Sequence, residues 1–254
     1  MLTEAQIAQY HDKGYVIPEQ FNIGEEALED LRTRHAKLVE KHPEFYNYCS
    51  HVLAFDLAFL NYARHPEILK MVEQVIGPDF ALWNSSFFAK PANGGLRTPW
   101  HQDGEYWPVR PLATCTVWIA VDDSTPENGC LRIIPGSHKE RRLRAHHTYE
   151  GTDVTLNQEL NEDEFDENTA VDMVLKAGQV SLHDVFLLHG SEANNSDKSR
   201  RGMTLRYMPT TSLFDRNEAE RMSRELGIMN HSDRTLYLMS GQDKHGGNDF
   251  RMRL

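Results

Sequence analysis

Apolar positions in the first 79 residues recur at helical spacing, and beyond residue 80 they do not. Thr3-x-x-Gln6 is a capping-box signature that opens a short helix, with Ile7 and Tyr10 on one face and Gly14 placed to end it. Tyr15-Val16-Ile17-Pro18 predicts a short strand. Leu28, Leu31, Leu38 and Val39 predict a second helix over 24–42, and Ile68, Leu69, Val72 and Ile76 a third that follows Pro66 and stops at Gly77-Pro78. These helices are expected to pack outside a sheet.

From Phe80 the texture changes to short β-branched and aromatic runs over 80–89, 113–121, 131–134, 171–175, 179–188 and 202–208. Pro126-Glu127-Asn128-Gly129 and Pro135-Gly136-Ser137 punctuate them as turns. Many short strands between such turns predict a mainly β domain with flanking helices, a jelly roll or related barrel. The division expected is one domain over 1–254: helical support over 1–79, a jelly-roll core over 80–212 and a polar tail over 213–254. The tail carries a helical stretch near 217–226 and reads equally as a cap or a loose terminus.

At 254 residues with 39% apolar content the chain supports a single large core. Its net charge of −11 argues against nucleic acid or an anionic membrane surface as a partner. Residues 150–172 hold nine acids and no Lys or Arg, which predicts a solvated loop and leaves open whether it serves as a lid. Cys49, Cys115 and Cys130 show no pairing or metal-binding spacing and point to a reducing compartment. With no signal-like N-terminus and no long apolar span, the expectation is a soluble, cytoplasmic protein acting on a small molecule, its oligomeric state undetermined.

The candidate chemistry lies in Trp100-His101-Gln102-Asp103, in His189-Gly190-Ser191 far downstream, and in Arg200. Two imidazoles and one carboxylate can hold one face of an octahedral Fe(II) and leave the opposite positions open. An arginine nearby adds a planar donor fork for a carboxylate. A His-x-Asp pair alone is common by chance; its setting beside strand-like runs and turns gives it weight.

Taken in order, Trp100 to Asp103, Trp118-Ile119-Ala120-Val121-Asp122-Asp123, Pro126 to Cys130, Pro135-Gly136-Ser137-His138, and His189-Gly190-Ser191-x-x-Asn194 with Arg200 resemble the phytanoyl-CoA dioxygenase family of Fe(II)/2-oxoglutarate oxygenases. The resemblance is strong over about 80–210 and implies a double-stranded β-helix, the cupin-like jelly roll, with the metal in one mouth. It implies His101, Asp103 and His189 as iron ligands and Arg200 as partner of the far carboxylate of 2-oxoglutarate. Ser191, Trp118, Gln102 and Ser86 are implied as cosubstrate neighbours. The implied activity is hydroxylation of an unactivated C–H bond with O2, releasing succinate and CO2. Asp103 argues against halogenation, since the related halogenases carry a small residue there. Desaturation, epimerisation or ring formation on the same cofactors stays open, as does a non-redox cupin-like enzyme or a binding module.

Strand alternation refines the set. If Arg200 faces inward, Gly202, Thr204 and Arg206 share its face and the rival Arg201 points away; Thr116 then joins Trp118 in the pocket and Cys115 packs outside. His183, read on the same strand face as His189, is expected to be a polar core residue. His138 is expected to fix its turn by a hydrogen bond, and His146 and His147 to be surface residues. Phe88, Tyr106, Trp107 and Arg206 are the substrate candidates, with Trp83, Phe87 and Arg110 as further possibilities.

Overall fold

Thr3 and Gln6 cap the first helix reciprocally, and Gly14, in the left-handed conformation, ends it. This computed structural model describes residues 1–253. In chain order its elements are α1 (Glu4–Lys13), β1 (Tyr15–Val16), α2 (Glu25–Lys41), β2 (Tyr48–Cys49), α3 (Leu60–Ala63), α4 (Pro66–Ile76), β3 (Phe80–Lys90), β4 (Thr98–His101), β5 (Val109–Arg110), β6 (Cys115–Ala120) and β7 (Leu131–Ile133). There follow β8 (His146–Thr148), β9 (Gln158–Leu160), β10 (Val171–Met173), β11 (Val180–Asp184), β12 (His189–Ser191), β13 (Arg200–Pro209), β14 (Leu213–Phe214), α5 (Arg216–Leu226) and β15 (Tyr237–Ser240).

The major sheet runs β1-β11-β6-β13-β3-β15, with β2 also paired to β3, and the minor sheet runs β10-β7-β12-β4. Their inner faces meet where Trp118 and Ala120 pack on Leu131, Ile133 and Met173, which is the expected jelly roll. On the outer face, Leu28, Leu31, Ile68, Met71 and Val72 of the helices close over Phe87, Val117, Ile119, Met203 and Leu205. Each such side chain removed from water stabilises the fold by roughly 1.5–3 kcal/mol, and the helical layer and the sheet share one core.

Two expectations need correction, and one open alternative, that of the tail, is resolved. The run over 179–188 is two elements: β11 ends at Asp184, whose carbonyl and carboxylate accept from the Leu187 and Phe186 amides, and β12 then opens in the other sheet. Val185, Leu187 and Leu188 are buried through this corner, so apolar character alone reads as unbroken strand. The polar tail is not a loose terminus, because β15 extends the major sheet and Arg234, Thr235 and Leu236 are buried. The acidic segment is partly structured, with β9 inside it and β10 starting at its end, and Arg97 ties it down through Asp153 (3.3 Å) and Glu159 (2.8 Å).

Alternation along β3 is reset by a register shift opposite Arg206/Tyr207: Leu82 pairs with Tyr207, but Asn84 pairs with Arg206. Phe80, Leu82 and Phe87 therefore face the helices, while Asn84, Ser86 and Phe88 oppose Arg206, Thr204 and Gly202 on the inner side. The three cysteines are free and buried. Among the described residues no helix is long and apolar enough to cross a membrane.

Candidate active site

The antiparallel register places His189 of β12 directly opposite His101 of β4, which brings their rings to 4.2 Å between centroids. Gly190 permits the approach, because a Cβ there would lie 3.2 Å from the Trp100 backbone. Two residues beyond His101 the chain enters a tight turn at Asp103, whose Oδ1 lies 3.8 Å from His101 Nε2 and 4.0 Å from His189 Nε2. All three side chains are buried, and their candidate ligand atoms lie within 4.8 Å of one another.

The protonation states suit a divalent metal ion. His101 Nδ1 meets the Pro99 carbonyl at 2.8 Å and His189 Nδ1 the Leu187 carbonyl at 2.9 Å. A carbonyl only accepts, so each Nδ1 carries the proton and each Nε2 lone pair is left for a ligand. Burial is the largest influence and pushes both imidazole pKa values down, against the raising effect of Asp103 and of the two carbonyls. For Asp103 burial acts in the opposite direction, but Arg206, His183 and His189 outweigh it and hold the carboxyl well below the usual range. Thr116 Oγ1 donates to Asp103 Oδ2 at 3.3 Å, and His183 Nε2 lies 3.5 Å from the same oxygen. Two neutral imidazoles and an ionised carboxylate form a donor set that fits Fe(II).

Arg200 opens the same pocket from β13. Its Nε and Nη2 donate to the Gly129 carbonyl at 3.1 and 2.8 Å, and Nη2 lies 3.4 Å from Ser191 Oγ. The Pro126–Asn128 turn ends at Gly129 in the left-handed conformation, which points this carbonyl at the guanidinium. Trp118 lies 5.6 Å from the Arg200 guanidinium carbon, and its indole occupies space that a Cβ on Gly202 would enter at 2.0 Å. Arg200 is 3% exposed, no carboxylate among the described residues pairs with it, and burial pushes its pKa down to about 10. Arg201 points away and forms a two-point pair with Asp122, at 2.8 Å for both contacts.

Beyond the triad a second chamber of about 390 Å³ opens outward and shares Phe88, His101, Asp103 and Arg206 with the inner pocket. Tyr106 and Trp107 line it as expected. Tyr48, Ser50, Asn84, residues 154–157 and Met229 with His231 also line it, and the sequence reading missed all of these. Apart from Tyr48 in the two-residue β2 and Asn84 beside the register shift in β3, they come from irregular segments, where no periodic signal marks an inward-facing side chain.

Several expected neighbours are elsewhere. Gln102 faces away from the pocket: its Oε1 accepts from Arg144 N at 2.7 Å and its Nε2 donates to the Arg142 and Phe186 carbonyls, so it braces the triad from behind. Ser86 Oγ is engaged by the Ser50 carbonyl and by Arg206 Nη1 at 2.6 Å, and so holds Arg206 rather than facing the inner pocket. His146 is no surface residue; its side chain is fully buried, its Nε2 accepts from Gln102 N at 3.2 Å, and burial pushes its pKa down to about 4. His183 belongs to the major sheet, not to the strand of His189, yet the sandwich brings it beside Asp103. Phe87 faces the helices, Trp83 lies behind Trp107, and Arg110 is exposed beside Glu218. His138 meets the His11 carbonyl at 3.1 Å, as its turn predicts.

A family model for phytanoyl-CoA dioxygenase matches residues 1–202. The human peroxisomal phytanoyl-CoA dioxygenase is 32% identical over 159 residues, which is 60% of this chain and 46% of that protein. A phytanoyl-CoA dioxygenase domain-containing protein 1 homolog of Dictyostelium discoideum is 37% identical over 110 residues, covering 42% of this chain and 39% of that one. The chain thus spans less than half the length of these two curated relatives. Among solved structures the apo form of the non-heme monooxygenase ThoJ aligns with TM-score 0.75 at 24% identity, over 98% of this chain and 87% of that one. The epimerase SnoN, solved with Fe3+, alpha ketoglutarate and nogalamycin RO, aligns with TM-score 0.69 at 20% identity, over 95% and 96%. These two likenesses establish the shared fold, and the match over residues 1–202 establishes that the chain belongs to the phytanoyl-CoA dioxygenase family.

Proposed function

We propose that this protein is an Fe(II)- and 2-oxoglutarate-dependent oxygenase that hydroxylates an unactivated C–H bond of a small molecule, releasing succinate and CO2. One observation carries the reading: a buried guanidinium without a carboxylate partner, Arg200, faces the same pocket as His101, Asp103 and His189. A buried charge left unpaired is costly, and a dicarboxylate reaching from the triad to Arg200 relieves that cost.

Bound Fe(II), 2-oxoglutarate and O2 together supply the oxidant for C–H cleavage. The residues hold and place these groups. His101 and His189 offer neutral Nε2 atoms, oriented by the Pro99 and Leu187 carbonyls. Asp103 stays ionised, and Thr116 holds its second oxygen. Arg200 grips the far carboxylate with Ser191 beside it, while Trp118 excludes water from the fork. The substrate enters through the outer chamber, where Phe88, Tyr106 and Trp107 face the triad. The −11 net charge and the buried, free cysteines support a small-molecule substrate over a nucleic acid, and a reducing compartment such as the cytoplasm.

The test is succinate formation in air from Fe(II), ascorbate and 2-oxoglutarate, with Asp103→Ala and Arg200→Ala alongside. Turnover in wild type and background levels in both variants are expected. Variants that form succinate as wild type does would overturn the assignment.

A further inference from the structure

The outer chamber carries more positive charge than the proposed chemistry uses. A divalent ion balances Asp103, and a dicarboxylate balances Arg200 and the remaining metal charge. Arg206 in the chamber wall and Arg234, which reaches the chamber only through His231, are left over, 4% and 3% exposed. The nearest carboxylate of Arg206 is Asp103 at 3.7 Å, and Arg206 Nε is buried without any hydrogen-bond partner. Arg234 has no carboxylate partner among the described residues; it bonds Asn84 Oδ1, and its Nε donates to His231 Nδ1 at 2.7 Å.

These groups are prepared for a ligand. Ser86 fixes Arg206 from below at 2.6 Å, and its guanidinium carbon lies 5.0 Å from the Trp107 ring and 5.9 Å from the Phe88 ring. Because His231 Nδ1 accepts from Arg234, the ring is the Nε2–H tautomer, a donor with no protein partner in the same chamber. One buried cation, Arg206, and the spare N–H of His231 therefore line the chamber beside aromatic walls, with Arg234 behind His231, in a chain whose net charge is −11. Unpaired buried donors of this kind mark a recognition site more readily than a structural one.

We propose that the outer chamber binds a small-molecule carboxylate, its anion on Arg206 with His231 beside it and its apolar body against Phe88, Tyr106 and Trp107. This rests on the oxygenase reading above and names its substrate class. The 390 Å³ of space suits a compact acid. Bidentate geometry favours carboxylate over the corresponding neutral amide, and loss of a hydrogen-bonded charge predicts a discrimination of about tenfold or more.

The experiment is calorimetric binding of phenylacetate, octanoate and their primary amides to the anaerobic Fe(II) protein at saturating 2-oxoglutarate, which keeps Arg200 occupied. The visible charge-transfer absorption of the metal-bound keto acid is recorded first in the same sample. Its absence from wild type refutes the oxygenase reading itself; its presence with no acid binding better than its amide overturns this proposal alone. The expected result is tighter binding of at least one acid by about tenfold or more over its amide, a preference that Arg206→Gln removes without removing the absorption. If Arg206→Gln removes the absorption as well, or keeps the acid preference, Arg206 positions Asp103 and the proposal fails. Arg206→Lys, which keeps the charge but not the fork, is expected to retain a reduced preference and serves if the glutamine variant does not fold.

Discussion

Arg200→Gln separates a binding residue from a structural one. Burial lowers the Arg200 pKa from its ordinary 12.5 to about 10, which corresponds to about 3 kcal/mol spent on keeping the charge inside the fold. Glutamine removes that cost and loses the two charge-assisted bonds to the Gly129 carbonyl, each worth about 1.5 kcal/mol net because they share one acceptor. The terms nearly cancel, so the metal-free variant is expected to unfold in urea within about 1 kcal/mol of wild type. The loaded protein behaves differently. At a 2-oxoglutarate concentration about 100 times its dissociation constant, wild type gains about 2.7 kcal/mol of stability. Loss of the buried ion pair weakens binding by about a hundredfold, and the same concentration then stabilises the variant by only about 0.4 kcal/mol. Urea unfolding with Mn(II), with and without 2-oxoglutarate, measures both quantities. A variant that keeps the full 2-oxoglutarate gain, or one that loses several kcal/mol without ligand, refutes the reasoning.

Three further outcomes follow from the same geometry. Burial lowers the pKa values of His35 and His146 to about 4, below the value of about 6.5 in the unfolded chain, so below pH 6.5 the unfolded state binds more protons. The metal-free protein should therefore lose stability between about pH 6.5 and 4, by up to about 3 kcal/mol for each ring, and a flat urea midpoint across that window contradicts this. Gly202→Ala places a Cβ 2.0 Å from Trp118 Cζ2; displacing the indole should cost about 1–3 kcal/mol in thermal unfolding and weaken 2-oxoglutarate binding, whereas unchanged values would show that the indole is free to move. His183→Leu removes a ring whose two nitrogens lack well-formed hydrogen bonds, one of them 3.5 Å from Asp103 Oδ2. Metal affinity by titration should fall by about tenfold to a hundredfold while the fold is kept, and unchanged affinity would remove His183 from the account.

What was legible in the sequence was legible through periodicity and local signatures. Thr3, Gln6 and Gly14 bounded the first helix because capping is a local hydrogen-bond pattern, and strand alternation separated Arg200 from Arg201 because β13 runs straight through both. Phe88 lines the chamber as expected but Phe87 faces the helices, because the two alternate in β3 and no residue type announces which of them turns inward. Alternation failed for His183, since the buried corner from Val185 to Leu188 hides a change of sheet. Gln102 was misplaced because nearness in sequence to two ligands was read as nearness to the cosubstrate, although alternation sends it the other way. Arg234 and His231 carry no sequence signal, as the Arg234 bond to Asn84 across 150 residues is purely tertiary.

The central claim is that His101, Asp103, His189 and Arg200 form one site for a metal ion and a keto diacid. Anaerobic addition of 2-oxoglutarate to the Fe(II) protein tests it directly, by the visible charge-transfer absorption of a chelated keto acid. The account predicts that this absorption appears in wild type, saturates with 2-oxoglutarate, is absent from Asp103→Ala, and in Arg200→Gln requires about a hundredfold more 2-oxoglutarate. A wild-type protein that binds Fe(II) without developing the absorption, or an Asp103→Ala variant that develops it unchanged, contradicts it.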